Sequence, residues 1–207
     1  MKYIEQREEV AYFMRRLYQQ KLTTCSGGNI SRRIDKRSIA ITPSRLDKAT
    51  LQTEQIGVIT TDGKSQTPEL KFSMETGMHL AIYNKRPDVK AIVHAHPTIA
   101  TSFSVMNRSI NTALTGEARF ILGDPAIADY ALMGTPELAA IVSEKILDSN
   151  VVITKNHGIL TVGKTLLEAF DRIEVLESAA KMTLITDLLN DKNSLSEKQI
   201  TEIDALL

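Results

Sequence analysis

Two of the four histidines in this 207-residue chain, His94 and His96, stand two residues apart at the end of an apolar run. If that run is a strand, its period of two turns both imidazoles toward the same face. A convergent pair of imidazoles is a divalent metal site in outline, and equally an ordinary pair of hydrogen-bonded histidines at a strand end. His157 shifts that balance. It lies in Asn156-His157-Gly158, between the apolar runs Val151 to Thr154 and Ile159 to Val162, where packing gives no reason for a histidine. Three neutral imidazoles would leave a divalent ion its full charge and open positions for water or substrate, the layout of a catalytic centre and not of a closed structural one.

Glu75 and His79 are four residues apart in a segment that reads as helix, so they share a face. If Glu75 looks at the metal, its carboxylate can ligate the resting ion and act as a base once substrate displaces it. The other reading of Glu75 is a solvated first-turn acid favoured by the helix dipole. His79 reads as a residue that packs or orients a neighbour. Ser26-Gly27-Gly28-Asn29 supplies a hydroxyl, an amide and two glycines, which allow close backbone approach and several N–H donors toward one anion. Thr42-Pro43-Ser44 and Lys71-Phe72-Ser73 add hydroxyls on two further turns. Together the three turns describe a phosphate cradle, and singly each is common turn chemistry.

The elements that must position these groups follow from periodicity. Val10, Phe13, Met14, Leu17 and Tyr18 recur at three- and four-residue steps, so residues 3 to 20 read as an amphipathic helix. Ser38 to Thr42 and Ile56 to Thr61 read as strands separated by turn signals at Pro43 and Asp62-Gly63. Met74, Met78, Ile82 and the pair Ala81/Tyr83 suit a helix closed before Pro87. Ala91 to Val93 reads as a buried strand running into His94. Helical patterning returns after Pro97 and from Pro136 to Leu147, with Thr135 placed as its cap. A long helix from about Thr165 to Leu189 carries Phe170, Ile173, Leu176, Ala180 and Leu184 on one face, and a short helix follows a polar turn at Asp191 to Ser196. Without repeats or linker-like tracts, residues 1–207 read as one domain, a mixed α/β sheet covered by helices, and no GxGxxG supports a dinucleotide fold.

Composition narrows the function classes. Lys and Arg number 25 against 25 Asp and Glu, so the formal charge is zero, which argues against nucleic acid as a partner because phosphate contacts need a basic excess. No run approaches the ~20 apolar residues of a membrane helix, so no membrane partner is expected. The opening MKYIEQREEV lacks the apolar core of a secretory signal and reads as a cytoplasmic start. Cys25 is the single cysteine, so internal disulfides and a cysteine-built zinc site are excluded, and any metal must be held by histidine and carboxylate.

In the order SGGNIS, ITPS, KFSME, HAHP and NHG, these pieces resemble the class II aldolase/adducin family, particularly its L-fuculose-phosphate aldolase-like members, over nearly the whole chain to about Leu189. The resemblance implies a single three-layer α/β/α domain with a central, largely antiparallel mixed sheet, and a homotetramer with active sites between subunits. It makes His94, His96, His157 and Glu75 the ligands of Zn2+ or another divalent metal, with Glu75 as acid/base. It makes Ser26, Gly28, Asn29, Ser44 and Ser73 the phosphate site.

The implied reaction cleaves a deoxyketose 1-phosphate, such as L-fuculose 1-phosphate or 5-deoxyribulose 1-phosphate, to dihydroxyacetone phosphate and a short aldehyde through an enediolate. Departures from the family pattern bear on the substrate. KFSME replaces a KPSSE-type run. Arg45 stands where a glycine commonly follows the TPS turn. Thr115 occupies the place of a tyrosine donated by a neighbouring subunit, with Glu117 close by. A methylthioribulose-1-phosphate dehydratase-like elimination is the alternative chemistry. Epimerase relatives typically carry aspartate at the position of Glu75, and a non-catalytic adducin-like scaffold would lack the histidines.

Overall fold

The computed structural model describes residues 2–206. The chain begins with α1 (Ile4–Gln19), which buries Val10, Phe13, Met14 and Leu17. Tyr18, expected on the same stripe, is 37% exposed. Three strands follow, β1 (Asn29–Arg33), β2 (Ser38–Ile41) and β3 (Gly57–Thr60). Next come α2 (Thr76–Lys85), β4 (Ala91–Ala95), α3 (Thr98–Phe103), α4 (Gly116–Leu122) and β5 (Ala126–Ala128). The chain continues with α5 (Pro136–Lys145), the hairpin β6 (Val151–Thr154) and β7 (Gly158–Gly163), then α6 (Leu166–Leu189) and α7 (Glu197–Asp204).

Helix starts follow local chemistry. The hydroxyls of Thr135 and Thr165 accept from Leu138 N and Glu168 N, capping α5 and α6, with Pro136 in the first turn of α5. On α6, Phe170, Ile173, Leu176 and Ala180 are buried as their spacing predicts, but Leu184 is 37% exposed. The helix predicted from Met74 begins at Thr76 instead. Met74 stays in the preceding turn, is 63% exposed, and contributes nothing to the apolar face assigned to it.

The seven strands form one sheet in the order β3-β2-β1-β4-β7-β6-β5. Every neighbouring pair is antiparallel except β5 and β6, which are parallel. Alternation along the strands sorts the core into two layers. Ala91, Val93, Val151, Ile153 and Ile159 pack with α1 and α6 on one face. Ile92, Val152, Leu160 and Val162 pack with Met78, Ile82 and Tyr83 of α2 and Leu138 and Val142 of α5 on the other. The architecture is thus the expected three-layer α/β/α arrangement around a largely antiparallel mixed sheet.

This layering places the chemistry. On β4 the face of Ile92 is continued by His94, so His94 points toward the layer that contains α2. On β1 the buried Ile30 belongs to the opposite layer, which sends Asn29 and Ser31 to the α2 side as well. Asn29 stands directly opposite His94 in the β1–β4 ladder. Among the described residues no helix is long and apolar enough to cross a membrane.

Candidate metal centre and anion cleft

His94 is buried at the penultimate position of β4, and its Nδ1–H donates to Ile159 O at 2.9 Å across the β4–β7 ladder. That bond fixes the tautomer and leaves the Nε2 lone pair facing the cleft. His96 follows just beyond the strand, with its Nε2 3.1 Å from His94 Nε2. His157 comes from the β6–β7 turn, where Asn156 takes φ 54°, a left-handed conformation to which asparagine is well suited. Gly158 lets the turn close against His96: a Cβ there would lie 2.4 Å from His96 Cδ2 and 2.8 Å from Ala95 O. One ligand atom from each of the three imidazoles lies within 4.8 Å of the others.

Glu75 immediately precedes α2 and is 8% exposed. Its Oε2 lies 3.2 Å from His94 Nε2, and its Oε1 lies 3.2 Å from His157 Nε2. Oε2 also accepts from Asn29 Nδ2 at 2.8 Å. Oε1 is buried with no hydrogen-bond partner. An isolated buried carboxylate oxygen costs on the order of 1–3 kcal/mol, so lone pairs from three imidazoles and an unsatisfied carboxylate around one point are the donor set of a cation. The residues therefore fit a divalent metal, with His94, His96 and His157 able to hold it and Glu75 beside them.

The protonation states agree with that use. Burial pushes the Glu75 carboxyl up, but the imidazoles of His94 and His157 and the Asn29 amide outweigh it and hold the group well below the usual carboxylate range. Burial lowers His96 to about 3 and His157 to about 4, with His94 adding to both effects. Both are neutral ligands at neutral pH. For His94 burial acts downward, and the neighbouring Glu75 carboxylate reverses it, raising the imidazole above its ordinary value. The lone pair that holds that proton is the one a metal takes in its place.

Beside this cluster opens a cleft of about 340 Å³, whose lining includes Ser26, Gly28, Asn29, Ser44, Ser73, Glu75, His96 and His157. All five residues of the expected phosphate site therefore meet in one space. Gly28 has φ +67°, and a Cβ there would lie 2.7 Å from His94 O, so only glycine brings this loop so close to the end of β4. Ser44 N donates to Lys71 O at 2.8 Å, tying the second turn to the third. Asn29 lines the cleft with its amide already engaged at both ends, donating to Glu75 and accepting at Oδ1 from His79 Nε2. Arg45 also lines it, exposed and in a left-handed conformation at φ 58°. Thr115 and Glu117 are not among the lining residues; Thr115 caps α4 by accepting from Ala118 N at 3.2 Å, and Glu117 is exposed in its first turn.

One residue of the cleft has no counterpart in the sequence reading. Lys48 lines the cleft and is 1% exposed. Its backbone N–H donates to Cys25 O at 2.8 Å and its Nζ donates to Pro43 O at 2.9 Å, bracing the first turn against the second. Among the described residues no carboxylate pairs with it, and burial lowers its ammonium to about 8. The only signal for it in the sequence is its place four residues after a TPS turn, and no lysine is marked for burial by spacing alone.

A three-layer α/β/α fold thus gathers three imidazoles, a carboxylate and a polar cleft at the ends of its central strands, a group that could hold a metal ion. The chain belongs to the class II aldolase/adducin family: the family model for the class II aldolase and adducin N-terminal domain matches residues 8–184. It is similar to a protein of Methanocaldococcus jannaschii named L-fuculose phosphate aldolase, with 36% identity over 175 residues, 84% of this chain and 93% of the relative. It is also similar to a Haemophilus influenzae protein named 3-oxo-tetronate 4-phosphate decarboxylase, 31% identical over 86% of this chain and 87% of the relative. A solved structure titled L-fuculose 1-phosphate aldolase superposes with a TM-score of 0.88 at 30% identity, covering 96% of this chain and 94% of that one.

Proposed function

We propose that the protein is a metal-dependent aldehyde-lyase that cleaves a deoxyketose 1-phosphate, such as L-fuculose 1-phosphate or 5-deoxyribulose 1-phosphate, to dihydroxyacetone phosphate and a short aldehyde. The observation that carries this reading is the cluster of Glu75, His94, His96 and His157, with Glu75 Oε1 unpartnered, beside a cleft that gathers Ser26, Gly28, Ser44 and Ser73. We take zinc as the resident ion, held by the three imidazoles and, at rest, by Glu75. When bound, such an ion supplies Lewis acidity toward the substrate oxygens next to the bond that breaks.

The chain's own groups do the rest. Ser26, Ser44 and Ser73 with the Gly28 loop receive the phosphate, and Lys48 adds a buried positive charge behind it. That grip fixes the carbon chain relative to Glu75, which is where orientation lowers the barrier. As the ionised Glu75 carboxylate takes the proton of the C4 hydroxyl, the C3–C4 bond breaks and its electron pair stays on C3. Glu75 delivers a proton to C3, completing dihydroxyacetone phosphate, and in the condensation direction removes that proton again. Depression of the Glu75 carboxyl keeps it ionised as the base of that reverse step.

We read residues 1–207 as one domain acting in a homotetramer, within which Thr115, Glu117 and Arg45 are candidates for contact with a substrate or a neighbouring subunit. Exposure of Val105, Tyr130, Leu132 and Met133, the last at the cleft, supports an apolar partner surface there. We propose a cytoplasmic location, in which the exposed Cys25 would stay a free thiol.

The test is incubation of the metal-loaded protein with a panel of ketose 1-phosphates and with a 3-oxo-tetronate 4-phosphate. Release of dihydroxyacetone phosphate from a deoxyketose 1-phosphate is the expected result. Carbon dioxide from the oxo acid without any triose phosphate, or a dehydrated product, would replace the proposed reaction with another.

A further inference from the structure

Behind Glu75 runs a chain of buried polar groups that the proposed reaction does not use directly. Glu75, His79 and Tyr83 succeed one another at four-residue steps from the start of α2, and Asn29 and Ser31 face them from alternate positions of β1. The two rows interlock. Asn29 Nδ2 donates to Glu75 Oε2 at 2.8 Å, and Asn29 Oδ1 lies 2.6 Å from His79 Nε2. His79 Nδ1 lies 2.6 Å from Ser31 Oγ, which lies 2.9 Å from Tyr83 OH. All four supporting residues are 2% exposed or less.

The chemistry of the end group dictates the direction of every proton in this chain. An ionised carboxylate only accepts, so Asn29 must turn its Nδ2 toward Glu75 and its Oδ1 toward His79. That oxygen accepts, so His79 must carry its proton on Nε2. Neutral histidine then has a bare Nδ1, which accepts from the Ser31 hydroxyl, and Ser31 Oγ in turn accepts from the Tyr83 hydroxyl. Burial holds His79 neutral, with its value lowered to about 3, and pushes the Tyr83 phenol above its ordinary value, so it remains a donor. A flipped Asn29 would set an oxygen against the carboxylate and leave a buried proton without an acceptor, at a cost on the order of 1–3 kcal/mol for each unmatched group.

We propose that His79 is a positioning residue: as the Nε2–H tautomer, with its Nδ1 accepting from Ser31, it locks the Asn29 amide so that Glu75 is held through Oε2 and its unpartnered Oε1 is the oxygen that carries the proton in turnover. The proposal rests on Glu75 being the acid/base group. It separates the two carboxylate oxygens by their surroundings, one anchored by an amide and the other buried without a hydrogen bond. It also explains why a histidine sits in the interior with no part in the metal cluster.

Two measurements test it. Nitrogen-15 spectra of the His79 ring in the full-length protein at pH 7.5 should show a protonated Nε2 and a bare Nδ1. A protonated Nδ1 overturns the proposal whatever reaction the protein catalyses. In turnover, His79→Leu should lower kcat by about 10- to 100-fold, the scale of a misplaced catalytic group, with KM and metal content per chain within about twofold of wild type. His79→Gln, which restores a donor near the Nε2 position, should recover about tenfold of that loss. Losses of KM and metal in step with kcat, or no rescue by glutamine, overturn it. If His79→Leu does not fold, Ser31→Ala carries the same kcat-against-KM test. If wild-type protein cleaves no ketose phosphate, the aldolase reading fails, while the tautomer result still decides the arrangement of the chain.

Discussion

Replacing Lys48 by methionine separates binding from stability. The ammonium is 1% exposed, pairs with no carboxylate among the described residues, and is lowered from 10.5 to about 8 by burial. At neutral pH the charged form is therefore disfavoured in the fold by on the order of 3 kcal/mol, at 1.36 kcal/mol per pH unit. Methionine removes that penalty and keeps most of the buried stem. It also removes the 2.9 Å bond to Pro43 O, a loss of about 1–2 kcal/mol. The ligand-free Lys48→Met variant should thus be as stable as wild type or more stable by about 1–2 kcal/mol in urea unfolding at pH 7.

Phosphate affinity should move the other way. A buried charge-assisted contact contributes about 1.5–3 kcal/mol, so the Kd for inorganic phosphate should rise roughly 10- to 100-fold by calorimetric titration. The sign with pH is fixed: wild-type affinity should fall as pH rises through about 8 and the ammonium loses its proton, while the variant stays flat over the same range. A variant that is destabilised yet binds phosphate like wild type at every pH would refute the reasoning.

Other perturbations probe the centre and its surroundings. Glu75→Gln should fold and keep much of its metal while turnover drops by about 10²-fold or more, the scale of lost acid–base catalysis, read by a dihydroxyacetone phosphate assay. Gly158→Ala, whose Cβ would lie 2.4 Å from His96 Cδ2, should swing that imidazole away and lower metal affinity by about 10- to 100-fold in chelator competition, an effect like that of losing a ligand's support. On the acid side, His79 binds no proton in the fold until about pH 3, whereas the unfolded chain takes one near 6.5. The unfolded state therefore holds more protons between those values. Urea-unfolding stability should fall on acidification from about pH 6.5, by up to about 1.4 kcal/mol per unit from this residue, so unchanged stability between pH 6 and 4 would contradict its buried neutral state.

What could be read from the one-dimensional chain depended on whether a residue's role shows in its spacing. The β6–β7 hairpin was legible because apolar runs flank Asn156-His157-Gly158, and the convergence of His94 with His96 follows from strand period. β1 carries no such mark. Its Asn29-Ile30-Ser31-Arg32-Arg33 looks like loop, yet Ile30 is buried in one layer. Arg33 is absorbed by hydrogen bonds to Val89 O and Tyr83 O and by stacking 4.6 Å over the Tyr83 ring, and Arg32 pairs with Glu9. Long charged side chains that lay their stems on apolar surface hide a strand from a polarity pattern.

The three-residue β5 is too short for a periodic signal. Met74 was misplaced because a helical period continues through the Ser73–Glu75 turn, where Thr76 Oγ1 donates to Ser73 O at 2.7 Å. Lys48 and the Asn29–His79–Ser31–Tyr83 chain depend on contacts between distant segments, so their burial and pairing have no imprint on local sequence. His79 alone gave a hint, as a histidine on the same helical face as a candidate base.

Metal analysis of the protein purified without chelators, set beside His94→Ala handled identically, reaches the central claim most directly. With Glu75, His94, His96 and His157 around one divalent ion, wild type should retain about one zinc or similar ion per chain and the variant should lose it at least in large part while remaining folded by circular dichroism. Equal metal content in the two proteins would contradict the account, because the ion would then be held somewhere other than this cluster.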